Sequence, residues 1–462
     1  MTEQVDAVVV GAGPAGMAAA SLLAERGART VLLDEQPAPG GQIYRGIEQA
    51  SPALRALLGP DYEHGAALAE RLRASGVEYR PGSAVWNITP ERYVWVIRNG
   101  AVSSLQTGVV LLATGAMERP VPVPGWTLPG VMGAGAVQIL LKTACLRPDS
   151  IVLAGSGPLL YLLAAQLLAA GTTILALLDT TARRNEFAAL RHLPGPAGWG
   201  VLAKGLQLKA ELRAAGVAVW RRVSDLRIEG KTAAEAIHFT ASGQQQRIAT
   251  TLVALHEGVI PAQQITRALG CAHQWSDAQR CFRPVLDEWG NTSLPGILVA
   301  GDAAGIAGAR AAAPAGRLAA AEALRQLGRL SAAARDDLAA PDRRAHAKHL
   351  KARAFLDTLY PPPAAILRPA DDVVVCRCEE VTAGQLRAVA RQGCQGPNQA
   401  KSFLRAGMGP CQGRLCGPVV SEILAETLGR GMDDIGYYRI RPPLKPVTVG
   451  ELAGAKIGDD SR

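Results

Sequence analysis

Two close pairs of cysteines stand in the C-terminal part of the chain, and thiolates are strong metal ligands. One residue separates Cys376 from Cys378 in VVVCRCEEVT, and four residues separate Cys411 from Cys416 in GPCQGRLCGP. Because alternate residues of a strand share a face, the first pair can reach one metal centre. Four thiolates in two pairs suit a [2Fe-2S] cluster, whereas zinc sites usually favour pairs with about two to four residues between the ligands. We therefore predict an iron-sulfur site, with a zinc site or unconnected thiols as the alternatives.

The sequence around these pairs supports a cluster. The second pair lies in a loop rich in glycine and proline, whose backbone N–H groups can bond to sulfides and thiolates. Arg377 and Arg414 lie inside the two pairs, where positive charge would raise the cluster potential or guide an acidic partner. Cys145, Cys271 and Cys281 are isolated, so we expect each to be a small buried apolar residue, with a reactive thiol as the alternative, and we expect Cys394 to be a bystander.

A complete βαβ pattern opens the sequence as VDAVVVGAGPAGMAAASLLAERGARTVLLDEQ. An apolar strand leads into three glycines, a helix rich in Ala and Leu follows, and a second strand ends in two acidic residues. The glycines would allow, in order, a tight turn, close approach of the backbone to a pyrophosphate and close packing of the helix. The helix N-terminus would bind the phosphates and an acid would bind a ribose, which predicts a dinucleotide site rather than a merely glycine-rich turn. The predicted site residues are Gly11, Gly13, Pro14, Ala15, Gly16, Asp34 and Glu35.

Three later stretches indicate which dinucleotide binds. They are PGGQIYR at 39–45, VVLLATGAMERP at 109–120 and GILVAGDAAGIAGARAAAPAGRLAAAEAL at 296–324. These stretches resemble the FAD-binding elements of the flavoproteins with two dinucleotide-binding domains, the family of thioredoxin and glutathione reductases. The resemblance implies FAD in the first fold, with the Asp302 carboxylate beside the flavin ribityl chain; a buried strand with a turn acid is the alternative for Asp302. It adds to the predicted FAD site Gly41, Gln42, Ala113, Thr114, Gly115, Gly301 and Asp302.

A second βαβ pattern, SIVLAGSGPLLYLLAAQLLAAGTTILALLD, begins at Ser150. Gly155 and Gly157 repeat the glycine layout, and the second strand again ends in an acid, Asp179. The third glycine position holds Leu160, and the helix is apolar nearly all round, which predicts that it is buried. In the reductase family this copy takes NAD(P)H. These departures lead us to expect a structural or vestigial fold instead, with a retained nicotinamide site as the alternative.

The spacing of the cysteines carries a further resemblance. The pattern CxC, 32 intervening residues and CxxxxC resembles the bacterioferritin-associated ferredoxin-like domain over about residues 371–428. The resemblance implies that Cys376, Cys378, Cys411 and Cys416 ligate a [2Fe-2S] cluster. The proline-rich LYPPPAAILRPADD is predicted to be a stiff linker, and YYRIRPPLKPVTVGEL an arm that docks on a neighbour or a frayed tail.

The length of 462 residues and the apolar content of 48% predict several folded domains. We expect an α/β protein with two dinucleotide-binding domains of the glutathione and thioredoxin reductase type and a small C-terminal [2Fe-2S] domain. The expected boundaries are a discontinuous FAD domain at 1–120 and 286–330, a second fold at 121–285, a linker at 331–370, the cluster domain at 371–430 and a basic arm at 431–462.

Over nearly the whole chain, this order of modules resembles the α subunits of heteromeric flavin dehydrogenases that act on opines, D-hydroxyproline or L-proline, or that produce hydrogen cyanide. The resemblance implies an electron-transfer subunit of an oxidoreductase acting on CH–NH donors. It also implies a β subunit similar to D-amino-acid oxidases, in which an amino acid, imino acid or opine is oxidised, FMN that can bind at the α/β interface, and a small ferredoxin-like γ subunit. A self-contained NAD(P)H reductase and a module that docks on an iron-storage protein are the alternatives.

Charge and hydropathy argue against other classes of protein. The net charge is +9, but the basic residues are dispersed among acidic ones and aromatic residues make up only 4%, so nucleic acid is not an expected partner. No apolar run reaches the roughly 18 residues that a membrane helix needs, and MTEQVDAVVVGAG lacks a signal-peptide core. We predict a cytoplasmic protein, with peripheral association at the inner face of the membrane left open. The sequence presents no general base or substrate-selecting set, so no residue is predicted to be catalytic.

Overall fold

The first predicted βαβ unit forms the centre of a seven-stranded sheet in the computed structural model, which describes residues 2–193 and 199–454. Up to residue 112 the elements are β1 (Glu3–Val10), α1 (Pro14–Glu25), β2 (Thr30–Leu33), α2 (Pro52–Leu58), α3 (Pro60–Ala74), β3 (Glu78–Arg80), β4 (Ser83–Ile88), β5 (Tyr93–Arg98) and β6 (Ala101–Leu112). β1 pairs in parallel with β2 and β6, and the order along the sheet is β3-β2-β1-β6-β5-β4. Residues 7–10 of β1 are buried, as expected for a parallel strand covered on both faces.

The second βαβ unit forms the centre of a separate five-stranded sheet. From residue 116 to 284 the elements are β7 (Ala116–Glu118), β8 (Val131–Gly133), α4 (Ala134–Ala144), β9 (Ser150–Ser156), α5 (Pro158–Ala169), β10 (Thr173–Asp179), α6 (Arg183–Leu190), α7 (Trp199–Ala214), β11 (Val219–Arg221), β12 (Ser224–Glu229), β13 (Ala236–Ala241), β14 (Gln244–Ala249), β15 (Val253–Glu257), β16 (Val259–Pro261), α8 (Gln264–Ala268), β17 (His273–Ser276) and β18 (Cys281–Pro284). The parallel sheet has the order β11-β10-β9-β15-β8. β7 and β16 pair with each other, and they carry the chain from one fold to the other and back.

The chain then returns to the first sheet. The elements from 297 to 367 are β19 (Ile297–Val299), a 3₁₀ turn (Gly301–Ala303), α9 (Ala309–Gln326), α10 (Ala332–Leu350), α11 (Arg353–Leu359) and α12 (Ala364–Leu367). β19 pairs in parallel with β6, and α9 packs closely on α1 because a β-carbon at Gly316 would lie only 2.1 Å from the Ala15 carbonyl oxygen. The segment 331–370, which the sequence predicts to be a linker, is mostly helical, and α10 lies against α9 with an ion pair between Arg317 and Asp342.

A small helical domain completes the chain. Its elements are β20 (Val374–Cys376), β21 (Val381–Thr382), α13 (Ala383–Arg391), α14 (Pro397–Leu404), α15 (Gly417–Leu428), α16 (Met432–Ile435) and α17 (Val449–Ala453). α13 begins with a capping box between Thr382 and Gln385, and its apolar face packs on α15. The predicted arm runs back over the same chain: Tyr437 and Tyr438 are buried in this domain, and Lys445 reaches Glu35 of the first fold. Residues 455–462 of the arm lie outside the described residues.

Candidate flavin and iron-sulfur sites

The glycine loop after β1 is shaped by its own backbone contacts. Gly11 has a φ of +102°, and a β-carbon there would lie 2.5 Å from the Ala113 carbonyl oxygen. A β-carbon on Gly16 would lie 1.8 Å from the Gly11 carbonyl oxygen. Gly13 differs, since a β-carbon there would meet nothing closer than the Gly41 α-carbon at 3.9 Å. The first and third glycines are therefore required by the fold, whereas the second leaves space that a pyrophosphate can use.

Asp34 lies at the carboxyl end of β2, beside the glycine loop. Its carboxylate accepts hydrogen bonds from the backbone N–H of Ala12 at 2.5 Å and of Gln36 at 2.7 Å. Burial raises the pKa of Asp34. Glu35, the second predicted ribose acceptor, points away to a 2.8 Å ion pair with Lys445. Of the two acids, Asp34 is the one that the fold places at the dinucleotide edge.

The loop at 39–45 covers the glycine loop. Gly41 has a φ of +59°, and a β-carbon on it would stand 2.8 Å from the Gly13 α-carbon. Arg45 holds this loop, donating to the Gly41 carbonyl oxygen and to Gln42 Oε1, both at 3.1 Å. Lys142, on α4 of the second fold, donates to the carbonyl oxygen of Gln42 at 3.2 Å. Both folds thus contribute to the position of this loop.

Lys142 is a residue at this site that sequence reasoning missed. Its side chain is only 4% exposed, and its other acceptors are the Ile43 carbonyl oxygen and Gln138 Oε1. Burial lowers its pKa to about 7, and within the described part of the chain it makes no ion pair. Nothing in the sequence of α4 distinguishes Lys142 from an ordinary polar residue of an amphipathic helix.

The side chain of Tyr79, on β3 next to Asp34, indicates whether the residues at this edge of the sheet fit a bound ligand. Its hydroxyl is buried and has no hydrogen-bond partner among the described residues. Burial, with the nearby Asp34 carboxylate, raises the pKa of Tyr79. A buried polar atom without a partner beside an open glycine cradle fits a bound polar ligand such as the adenosine half of FAD.

The remaining predicted FAD residues lie at the same edge of the first sheet. Asp302 Oδ1 accepts from the N–H groups of Ala307 and Gly308 at 2.9 Å, just before α9. Gly301 has a φ of +71°, and a β-carbon there would lie 2.9 Å from the Ala15 β-carbon. The segment 113–115 follows β6 directly. The carboxyl ends of β1, β2, β6 and β19 therefore bring together all the predicted groups except Glu35, at the edge where doubly wound sheets bind nucleotides.

The corresponding edge of the second sheet carries a buried acid. The Glu257 carboxylate, 2% exposed, accepts hydrogen bonds from Ser156 Oγ and Thr180 Oγ1 at 2.7 Å each. Burial raises the pKa of Glu257 to about 7. Leu160, at the third glycine position, is fully buried at 0% exposure. An acid at the crevice between β9 and β15 is unfavourable for a dinucleotide phosphate, which favours the expected vestigial role of this fold.

The paired cysteines lie close together but not as strand neighbours. β20 ends at Cys376, so Cys378 falls in the following turn and is exposed, whereas Cys376 is buried. The alternating-face argument therefore does not apply to them. The thiols are neighbours across the two pairs instead: Cys416 beside Cys376 lowers the pKa of Cys376 to about 6, and Cys411 lies beside Cys378.

The arrangement of the four thiols favours one of the two kinds of metal centre that the sequence allows. Within the described ranges, no three His, Cys, Asp or Glu side chains converge on one metal ion. Two separate thiol pairs match a cluster of two irons with two cysteine ligands each. Backbone and side-chain donors face the buried pair, since the Gly407 N–H lies 3.4 Å from Cys376 Sγ and the Tyr438 hydroxyl 3.9 Å from Cys416 Sγ. The donor set fits a [2Fe-2S] cluster better than a single zinc ion.

The remaining cysteines lie elsewhere. Cys394 is buried against Gly396, with its Sγ 3.4 Å from the carbonyl oxygen, and Cys271 and Cys281 are also buried. The prediction that Cys145 is buried is wrong: Cys145 is exposed where it ends α4, with a left-handed φ of +52°.

Comparisons with known proteins agree with both sites. The family model of pyridine nucleotide-disulphide oxidoreductases matches residues 5–319, and the model of the BFD-like [2Fe-2S] binding domain matches residues 374–426. The A subunit of opine oxidase from Rhizobium meliloti is 48% identical over 452 residues, covering 97% of this chain and 98% of the relative. Hydrogen cyanide synthase subunit HcnB of Pseudomonas aeruginosa is 34% identical over 463 residues, covering 95% and 96%. The structure of L-proline dehydrogenase from P. horikoshii superposes with a TM-score of 0.70 at 19% identity, covering 98% of this chain and 80% of that chain.

Proposed function

Because the chain belongs to the family of FAD- and [2Fe-2S]-containing α subunits that includes the opine oxidase relative, we propose that it moves electrons for a partner protein that oxidises an amino acid, imino acid or opine. Bound FAD exchanges two electrons with a donor, and a [2Fe-2S] cluster carries one electron at a time. The observation that carries the proposal is the presence of both sites in one chain, joined by direct contacts between their domains.

The first fold would hold FAD at the carboxyl edge of its sheet. In this proposal the N–H groups after Gly13 bind the pyrophosphate, Asp34 binds the ribose, and Gln42 and Asp302 lie along the flavin side. The contacts of Lys142 and Arg45 keep the covering loop in place. The residue assignments rest on the open space at Gly13 and on the buried acid at the end of β2.

The small domain would hold the cluster through Cys376, Cys378, Cys411 and Cys416. We assign one iron to the buried pair Cys376 and Cys416, and the other to the more exposed pair Cys378 and Cys411, because the thiols of each pair are neighbours in the fold. Each iron then takes one ligand from each of the two sequence motifs. Cys394 has no part in this set.

Aromatic side chains connect the cluster domain with the rest of the protein. The ring centroids of Trp275 and Phe282, from the strand pair β17–β18, are 5.0 Å apart, and Phe282 lies 5.9 Å from Tyr437. An ion pair between Arg280 and Glu422 links the same surfaces. In our proposal this packed contact is the medium through which electrons pass between the flavin fold and the cluster domain.

The substrate would be oxidised in a partner. The relatives are named as subunits, which supports a heteromeric complex. We propose that the complex contains an oxidase-like flavoprotein β subunit, FMN at the interface with it, and, as a further component, a small ferredoxin-like γ subunit. In this proposal the partner, rather than the present chain, determines that the electron donor is of the CH–NH type.

Native co-purification tests this proposal. A tagged chain expressed with its neighbouring genes should bring down an oxidase-like flavoprotein, and the complex should contain FAD, iron and sulfide. Addition of an opine or amino acid should bleach the flavin of the complex but not of the isolated chain. Oxidation of such a donor by the isolated chain would contradict the proposal that a partner oxidises the substrate.

We also propose a cytoplasmic location with peripheral attachment to the membrane. No helix in the described ranges has the length and apolar composition of a membrane span. Phe187, Leu190 and Leu206 on α6 and α7 are each more than half exposed, and residues 183–222 contain eight Lys or Arg but only two Glu. Exposed apolar residues among basic ones favour an anionic lipid surface.

Vesicle flotation tests the attachment. The chain should float with vesicles containing phosphatidylglycerol and less with phosphatidylcholine alone, and a Phe187→Glu, Leu190→Glu variant should not float. Val449→Glu removes a still more exposed apolar residue from α17 and serves as the control. Equal flotation of all three proteins would contradict the proposal.

A further inference from the structure

Tyr438, from the segment after α16, forms one wall of the cysteine site. Its side chain is 1% exposed, and its ring lies between two glycines of the cysteine loop. A β-carbon on Gly407 would stand 2.5 Å from the ring carbon Cζ, and one on Gly413 would stand 2.5 Å from Cδ2. The ring therefore packs directly against the backbone of Gly407 and Gly413, where any side chain would clash with it.

The Tyr438 hydroxyl has one hydrogen-bond partner among the described residues, Cys416 Sγ at 3.9 Å. Either atom of this pair can be the donor when the cysteine carries a proton. A cysteine that ligates iron has lost its proton, so the tyrosine hydroxyl must then donate to the sulfur. Cys416 is itself 2% exposed, and no water from bulk solvent competes for this contact.

We propose that Tyr438 is a positioning residue for the cluster, whose hydroxyl donates a hydrogen bond to the Cys416 sulfur and raises the reduction potential. Hydrogen bonds to ligand sulfurs draw negative charge from them, which favours the reduced form of an iron-sulfur cluster. The Gly407 N–H, at 3.4 Å from Cys376 Sγ, is a second donor of this kind. Both donors serve the buried pair, and this inference rests on the ligand set proposed above.

Tyr437 provides a matched control. It is the preceding residue, it is equally buried, and its ring centroid lies 5.7 Å from that of Tyr438. Its hydroxyl donates to the Gly413 carbonyl oxygen at 3.1 Å rather than to a sulfur. Removing either hydroxyl therefore deletes one buried hydrogen bond at the same wall, but only one of them involves a cysteine.

The experiment compares the full chain with Tyr438→Phe and Tyr437→Phe after anaerobic loading with iron and sulfide. Iron, sulfide and FAD are counted, and the cluster is titrated potentiometrically by electron paramagnetic resonance. We expect Tyr438→Phe to keep its cluster but to shift the cluster potential to a more negative value, with no shift in Tyr437→Phe and none in the FAD potential of either. In the wild-type protein, transfer to D₂O should shift the vibrational bands of the Fe–S bonds. This isotope shift should be smaller in Tyr438→Phe.

Three results would overturn the proposal. A full cluster at an unchanged potential in Tyr438→Phe contradicts the hydrogen bond, and so does an equal shift in Tyr437→Phe. Loss of iron from Tyr438→Phe alone would show that the hydroxyl is needed for assembly rather than for the potential. If the wild-type protein takes up no iron, the proposed ligand set is wrong. This outcome differs from the three above, so failure of the ligand set can be distinguished from failure of the hydrogen-bond proposal.

Discussion

Gly41 and Gly13 lie in direct backbone contact, so close that a β-carbon on Gly41 would stand 2.8 Å from the Gly13 α-carbon. The loop that covers the dinucleotide edge is therefore fixed by the same glycine that leaves the phosphate position open. A β-carbon on Gly13 would enter this space while meeting the protein no closer than 3.9 Å. A change at Gly13 consequently acts on the ligand more than on the fold.

Gly13→Val should abolish FAD binding while the protein remains folded. The valine side chain fills the space where backbone must approach the pyrophosphate, whereas the backbone φ of −73° is one that any residue adopts. Flavin absorbance of the purified protein measures the loss, and iron content should be unaffected. Gly16→Val is the contrast, because its β-carbon would lie 1.8 Å from the Gly11 carbonyl oxygen and should prevent folding of the βαβ unit itself. Stoichiometric FAD in the Gly13→Val protein would remove our assignment.

Single serine substitutions should separate the four proposed ligands from Cys394. A serine oxygen is a harder ligand that iron in a cluster holds poorly, so Cys376→Ser, Cys378→Ser, Cys411→Ser and Cys416→Ser should each lose most of the iron and sulfide. Cys394→Ser should keep both, and all five proteins should retain FAD. The measurement is metal, sulfide and flavin per chain. Iron kept by the Cys411 and Cys416 variants but lost from the Cys394 variant would contradict the set, and zinc in protein made anaerobically with ample iron would contradict the cluster.

NADH should be a poor reductant of the flavin. The crevice of the second sheet holds the buried acid Glu257, and Leu160 occupies the position where a glycine would let the helix and strand pack closely, so the phosphate cradle should be imperfect. Anaerobic mixing of the isolated chain with micromolar NADH should leave the flavin spectrum nearly unchanged over minutes, while dithionite reduces it fully. Rapid bleaching by NADH would favour the alternative of a self-contained reductase.

Glu257 should also make stability depend on pH. Burial raises its folded-state pKa to about 7 from the ordinary 4.5, so the stability due to its protonated form is fully present below about pH 4.5 and is lost as pH rises through 7. The loss is on the order of 3 kcal/mol if nothing relaxes. Glu257→Gln stays neutral, so its unfolding temperature should exceed that of the unchanged chain at pH 8 but not at pH 4.5. Glu288→Gln, at a carboxylate that is 70% exposed, should show no such difference, and equal pH profiles for all three proteins would refute the assignment.

Local patterns in the sequence predict much of this fold. The burial of β1, the three glycine positions and the start of α1 follow from short-range periodicity and turn chemistry, and the family models and the full-length relatives confirm the fold and both cofactors. The pairing of Cys376 with Cys416 could not be predicted, because β20 ends at Cys376 and only tertiary packing decides where Cys378 points. Lys142 and Tyr438 were also missed, since each reaches its site from an element distant in sequence.

The position of Tyr437 and Tyr438 in the chain bears on biosynthesis. Both residues follow all four proposed ligands in sequence, so a ribosome that has already released Cys416 has not yet released the wall that covers it. The two buried thiols, Cys376 and Cys416, are therefore covered on this side only after the segment that follows α16 has docked.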